Sequence, residues 1–139
     1  IMLRAVGLSD DRILRVRTEH PLREAAEMYD RNLDRFIRSG GRITLGLLGL
    51  GSDGHTASLF SMEDIERGEN RWAIPVRRSV GPDRVSVTGR LLRQIERIVF
   101  LVSGGEKRAM VDALINDPES IPAGRAVRGC ENVELWFVE

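Results

Sequence analysis

The sequence predicts an α/β fold: a doubly wound, mostly parallel sheet with helices on both faces, partial and Rossmann-like. Three observations carry this. Apolar, strand-like runs alternate along the chain with amphipathic helical stretches. Two of those runs, ending at Leu50 and Val102, each break into a glycine-containing turn and resume as a helix. No internal repeat or low-complexity segment interrupts the pattern, and 139 residues suit one domain. Residues 1–139 therefore read as a single α/β domain.

Taken in order, Met2 to Leu8 reads as the tail of a helix closed by Gly7. A chain that opens on Ile1 and enters a helix tail is expected to be the carboxyl-terminal portion of a longer protein. Asp10 and Asp11 form a turn, and Arg12 to Val16 alternates as a short strand. Pro21 suits the first position of a helix. Leu22, Ala25, Ala26, Tyr29, Leu33, Phe36 and Ile37 then recur at spacings of three and four, with charges between them. This is an amphipathic helix on a scaffold, its charges on a solvated face, ended by Gly40-Gly41.

Ile43 to Leu50 is apolar at both alternating positions, which predicts a central strand covered on both faces. Ser61 onward opens a short helix, and residues 67–70 form a loop. Arg71 to Val76 reads as an edge strand, since Pro75 has no N–H for a ladder. Arg84 to Thr88 alternates as a strand, and Gly89 to Glu96 forms a short helix. Arg97 to Val102 is the second strong apolar strand. A helix with Met110, Val111, Leu114 and Ile115 on one face follows, stopped at Asp117-Pro118. Pro122 to Gly124 is a loop, and Asn132 to Val138 is the last strand.

Charge narrows the function classes. Twenty-one basic and 21 acidic residues give a formal net charge of zero. That leaves no global footprint for nucleic acid or an anionic membrane. No apolar run approaches the ~20 residues of a membrane span, and no signal-peptide pattern is present. One cysteine, Cys130, cannot form an internal disulfide, which places the chain in a reducing, cytoplasmic setting. Glu63, Asp64 and Glu66 lack the spacing of metal ligands, and no second histidine joins them. No metal and no cofactor are expected.

The candidate site lies at Gly49 to Phe60. A buried strand, a glycine turn and a helix start present side chains at a sheet's carboxyl edge. Here the turn delivers Asp53 and His55. Histidine is the side chain type suited to proton transfer near neutral pH, and Asp53 is placed to set the tautomer of His55. A helix beginning near His55 would offer free N–H groups to an anion. The other histidine, His20, precedes Pro21 as a helix-capping residue. A second turn, Ser103-Gly104-Gly105-Glu106-Lys107, puts a cation at the start of a helix, where the dipole favours negative charge. An anion between the two would explain Lys107, and so would simple solvent exposure. If the two strands are neighbours, both turns open onto one crevice.

The string Gly49-x-Gly51-x-Asp53-Gly54-His55-Thr56-Ala57-Ser58-Leu59-Phe60 resembles the signature of 6-phosphogluconolactonases. Glucosamine-6-phosphate deaminases share its first half but typically continue Ile-Ala-Phe-Asn-Glu, so the lactonase resemblance is favoured. It covers most of the chain. It implies that Lys107, in a Gly-x-x-Lys turn, grips a substrate phosphate. It also implies that Arg84, opening a segment similar to the family's Arg-(Ile/Val)-(Thr/Ser)-x-Thr, lies near the sugar phosphate. Arg84 fits a surface ion pair equally well, and Arg77 and Arg78 are further candidates. Three departures stand out. Ser61 replaces a usual Pro, the last strand stops at Glu139, and the family's amino-terminal phosphate loop and Asp-Glu-Arg segment are not in the sequence.

The resemblance implies hydrolysis of 6-phosphoglucono-1,5-lactone to 6-phosphogluconate in the oxidative pentose phosphate pathway. His55 would act as general base, oriented by Asp53. Backbone N–H groups near Gly51 and Gly54 would hold the oxyanion, and Lys107 and Arg84 the phosphate. The expected partner is a small sugar-phosphate lactone, with the amino-terminal part of the same protein also required. The alternatives are an amino-sugar phosphate deaminase or isomerase, and a non-catalytic sugar-phosphate-binding module.

Overall fold

A computed structural model describes residues 5–139. Along the chain run α1 (Leu22–Arg38), β1 (Gly46–Leu48), α2 (Met62–Arg67), β2 (Ala73–Val76), β3 (Arg84–Val87), α3 (Gly89–Leu92), β4 (Ile98–Ser103), α4 (Arg108–Asn116), α5 (Pro122–Ala126) and β5 (Val133–Val138). Short 3-10 turns occupy Asp10–Arg12, Gly105–Lys107 and Pro118–Ser120.

The main sheet is parallel, in the order β1-β4-β5. Gly46 stands beside Ile98, and Ile98 beside Val133. The continuous apolar run of β4 makes it the central strand. Its Ile98, Phe100 and Val102 are buried, together with Val111 of α4 and Ala123 and Ala126 of α5. Fully burying side chains of this size stabilises the fold by about 1.5–3 kcal/mol each. The strands β2 and β3 form a separate antiparallel ribbon, with Ala73 beside Val87 and Val76 beside Arg84. Pro75 sits in this two-stranded ribbon, where every strand is an edge.

Helix α1 packs on the ribbon. Its Leu33 joins Trp72, Ala73 and Leu91 in a second buried cluster, with Tyr29 and Ile37 against it. The helix stops where Gly40 turns left-handed (φ 83°) and the Gly41 N–H donates to the Phe36 carbonyl at 2.9 Å. Asp30 and Asp34 are not merely solvated charges. Asp30 Oδ1 accepts the N–H groups of Trp72 (2.7 Å) and Ala73 (3.1 Å), and Asp34 accepts the Trp72 indole N–H at 2.9 Å. These bonds lock the helix to the start of β2.

Several expectations need correction. Arg12 closes the 3-10 turn, and among the described residues no strand pairs with Ile13 to Val16, so Arg12 to Val16 is not a strand. Of Ile43 to Leu50, only Gly46–Leu48 forms a ladder, with Ile43 making an isolated bridge to Ile95, and among the described residues β1 is an edge strand. Leu45 and Leu47 are 50% and 61% exposed. Helices α4 and α5 pack on the sheet face that carries Ile98, Phe100 and Val102. On the other, Leu47, Leu101, Trp136 and Val138 are exposed among the described residues. Ile115 of α4 is exposed as well. Pro122 to Gly124 is not a loop but the start of α5, with Pro122 at a helix-compatible first position and Ala123 and Gly124 buried. The expected helix tail at Met2 to Leu8 lies partly outside the described residues. Within them, Gly7 is left-handed (φ 81°).

Candidate active site

Beyond β1 the chain folds back on itself through its own hydrogen bonds. Thr56 Oγ1 donates to the Gly49 carbonyl at 2.8 Å, and the Gly51 N–H donates to the His55 carbonyl at 2.8 Å. Gly54 is left-handed (φ 80°), and its N–H donates to the Gly51 carbonyl at 3.0 Å. The Gly54 carbonyl in turn accepts the Ala123 N–H at 2.8 Å, tying the turn to α5. The Gly51 and Gly54 amides are therefore consumed by the turn and are not free to hold an oxyanion.

The expected helix start at His55 is also absent. Thr56 and Leu59 bridge across a tight turn in which Ala57 takes φ 50°. The Ser58 N–H donates to the buried Ser86 Oγ at 3.0 Å, on β3. A helix would have to break all of these bonds. It begins instead at Met62, capped by Ser61, whose Oγ accepts the Asp64 N–H. The Asp64 carboxylate accepts the Phe60 N–H at 3.1 Å.

This turn brings Asp53 and His55 together. Asp53 Oδ1 accepts the His55 backbone N–H at 3.3 Å and is hydrogen-bonded to the ring Nδ1. A carboxylate only accepts, so Nδ1 is the donor in this bond, and in the neutral ring Nε2 is then the nitrogen with the lone pair. Partial burial pushes the Asp53 carboxyl up, but the His55 hydrogen bonds and charge outweigh it, and the net shift is downward. Asp53 is therefore a carboxylate at neutral pH. Gly51 faces the pair so closely that a Cβ there would strike His55 Nδ1 and Asp53 Oδ1.

The imidazole also rests on Phe60, with ring centroids 4.3 Å apart, and the Arg78 guanidinium stands 4.3 Å from the Phe60 centroid. Asp53, Phe60, Arg77 and Arg78 line one cleft of about 760 Å³. Arg78 was a secondary candidate and Phe60 only a position in a signature. Their contacts depend on the tight turn, because residues five apart on a helix would not share a face.

Lys107 ends the 3-10 turn after β4 and precedes α4. Since β1 and β4 are parallel neighbours, the two turns do open at the same edge of the sheet. Lys107 makes no ion pair among the described residues, and it is the sole lysine among 21 basic residues. Arg84 opens β3, is exposed, and lies off the cleft that holds Asp53. No hydrogen bond or ion pair joins Lys107 or Arg84 to the Asp53–His55 pair among the described residues. His20 pairs with Glu24 at 3.0 Å, at the start of α1.

Residues 1–136 match the family model of glucosamine-6-phosphate isomerases/6-phosphogluconolactonase. A 6-phosphogluconolactonase of Treponema pallidum is 33% identical over 127 residues, covering 87% of this chain and 52% of its own. One from Haemophilus influenzae is 30% identical, covering 96% of this chain and 58% of its own. The crystal structure of 6-phosphogluconolactonase from Thermotoga maritima superposes with a TM-score of 0.75 at 32% identity, over 94% of this chain and 57% of that one. The chain thus spans little more than half the length of the relatives it matches.

Proposed function

The chain belongs to the glucosamine-6-phosphate isomerase/6-phosphogluconolactonase family, and from that premise we propose that the protein hydrolyses 6-phosphoglucono-1,5-lactone to 6-phosphogluconate. The observation that carries the reading is the Asp53–His55 pair, in which the carboxylate engages Nδ1 and Asp53 lines the cleft. His55 Nε2 takes a proton from water, and the hydroxide adds to the lactone carbonyl carbon. The bond from that carbon to the ring oxygen then breaks, and the imidazolium returns its proton to that oxygen. Asp53 fixes the ring and stabilises the imidazolium. Lys107 holds the phosphate, with Arg84 or the cleft-lining Arg78 as its partner. The chemistry is carried by side chains alone, because a lactone is an activated ester. A reducing, cytoplasmic setting is part of the same reading, supported by the single, half-buried Cys130.

The deaminase reading has less support, because the residues after His55 are Thr56-Ala57-Ser58. The test is His55→Asn, assayed for lactone hydrolysis and, by calorimetry, for binding of 6-phosphogluconate. Turnover is expected to fall by roughly 10²- to 10⁴-fold with affinity nearly unchanged. Turnover within threefold of the parent would defeat the general-base role. A parent protein that binds the sugar phosphate without hydrolysing the lactone would favour the non-catalytic module. Turnover of glucosamine 6-phosphate would favour the deaminase.

A further inference from the structure

Helix α2 has two working sides. Asp64 and Arg67 face the cleft of the Asp53–His55 pair. Ile65 and Glu66 close a second cavity of about 430 Å³, within the range of small-molecule sites. Four guanidiniums line it from two stretches of the chain: Arg90 on α3 and Arg93 just after it, Arg125 on α5 and Arg128 just beyond.

Their charges are poorly matched. Arg125 and Arg128 share one carboxylate, Glu119, at 3.0 and 3.6 Å. Arg90 donates to the Asn70 carbonyl at 2.8 Å, lies over the face of Trp72, 3.9 Å from its guanidinium carbon, and helps hold the Asp34 carboxyl down, but it forms no ion pair among the described residues. Arg93 has no ion pair among the described residues. Glu66 and Glu69 also line the cavity and pair with none of the four. Arg93 is nonetheless held in place. A Cβ on Gly89 would stand 3.3 Å from its Nη1, and one on Gly129 3.4 Å from its Cδ. Two bare backbone positions let this side chain lie flat against the cavity.

We propose that this cavity binds a compact polyanion bearing phosphate groups. Planar guanidiniums bond phosphate oxygens two at a time, and an anion among four of them relieves their mutual repulsion. Glu66 and Glu69 disfavour an extended anionic polymer and suit a small ligand whose hydroxyls they can accept. The site is separate from the one that would take the lactone, and α2 is the wall between the two.

The stacking of Arg90 on Trp72 supplies a readout. In a Trp136→Phe background Trp72 is the sole tryptophan, so its fluorescence reports on the cavity. Inorganic pyrophosphate, titrated at constant ionic strength against a sodium chloride control, is expected to give a saturable change. Arg93→Met and Arg128→Met should each weaken it roughly tenfold, as loss of a charge-assisted contact does. Lys107→Met should leave it unchanged. Far-UV circular dichroism checks the fold of each variant, and Arg128, with its side chain 69% exposed, is the substitution least able to disturb it. The proposal is overturned by a response that does not saturate, by one unaltered in both folded arginine variants, or by one that Lys107→Met removes.

Discussion

Gly51→Ala tests whether the glycine facing the Asp53–His55 pair serves the proposed chemistry or the fold. The backbone at Gly51 is not left-handed, so alanine is conformationally allowed there. The difficulty is space. The new Cβ would sit 2.5 Å from Asp53 Oδ1, against 3.4 Å for ordinary contact, and closer still to His55 Nδ1. The pair must therefore retreat by about 1 Å, a displacement that can cost on the order of 10²-fold in rate. Both side chains border solvent and can swing away, so stability should change by less than about 1 kcal/mol. Gly49→Ala is the control, since nothing lies within 4 Å of a Cβ there and its φ is also ordinary. Lactone hydrolysis under saturating substrate, alongside urea unfolding, measures both quantities. If Gly51→Ala keeps its turnover within threefold, or if Gly49→Ala is equally damaged, the steric argument is wrong.

Other expectations bear on what holds the cleft together. Asp30→Ala strips two backbone donors, at Trp72 and Ala73, of a charged acceptor and should cost about 3 kcal/mol in urea unfolding. Asp30→Asn keeps an oxygen for both donors and should cost about 1 kcal/mol. Equal losses would show that the ion pair with Arg71, not the N–H bonds, is what matters. Ser86→Ala leaves the Ser58 N–H without its acceptor and should cost about 1–2 kcal/mol, with faster hydrogen exchange at Ser58 the local sign. Asp53 has its carboxyl held below the ordinary 3.8, so its contribution is present above that pH and is lost as pH falls through the lower folded value. Its side chain is 59% exposed, which screens the contribution to under about 1 kcal/mol. Asp53→Asn should flatten the stability curve below pH 4, and an unchanged curve would contradict that linkage.

What could be read from the residues follows the range of the forces involved. Helix α1 was legible because its period and its Gly40 stop are local. Strand β4 was legible because a buried parallel strand must be apolar throughout. Asp53 and His55 were legible as a pair because two residues on one turn can hardly avoid each other. The same local reading gave a helix at Thr56 to Phe60, where the acceptor that decides the matter, Ser86, lies 28 residues away. It extended β1 to eight residues, although apolar character does not say which residues have a neighbour to pair with. Arg12 to Val16 failed in the same way. It made Pro122 to Gly124 a loop from composition alone. There the absence of a side chain at Gly124, against the Pro118 backbone, is what allows a buried helix. Arg78 could not be ranked above Arg84, because its place on Phe60 depends on how the ribbon's connecting loop bends.

The separate pairing of β2 with β3 has an evolutionary corollary. No main-sheet ladder bond runs through the ribbon, so the loop at its tip, residues 77–83, can lengthen, shorten or change charge without shifting the strand register beneath His55. Such a molecule can alter one wall of the cleft while the Asp53–His55 pair is inherited intact. Divergence between relatives should therefore collect at that tip more than in the turn from Gly49 to Phe60.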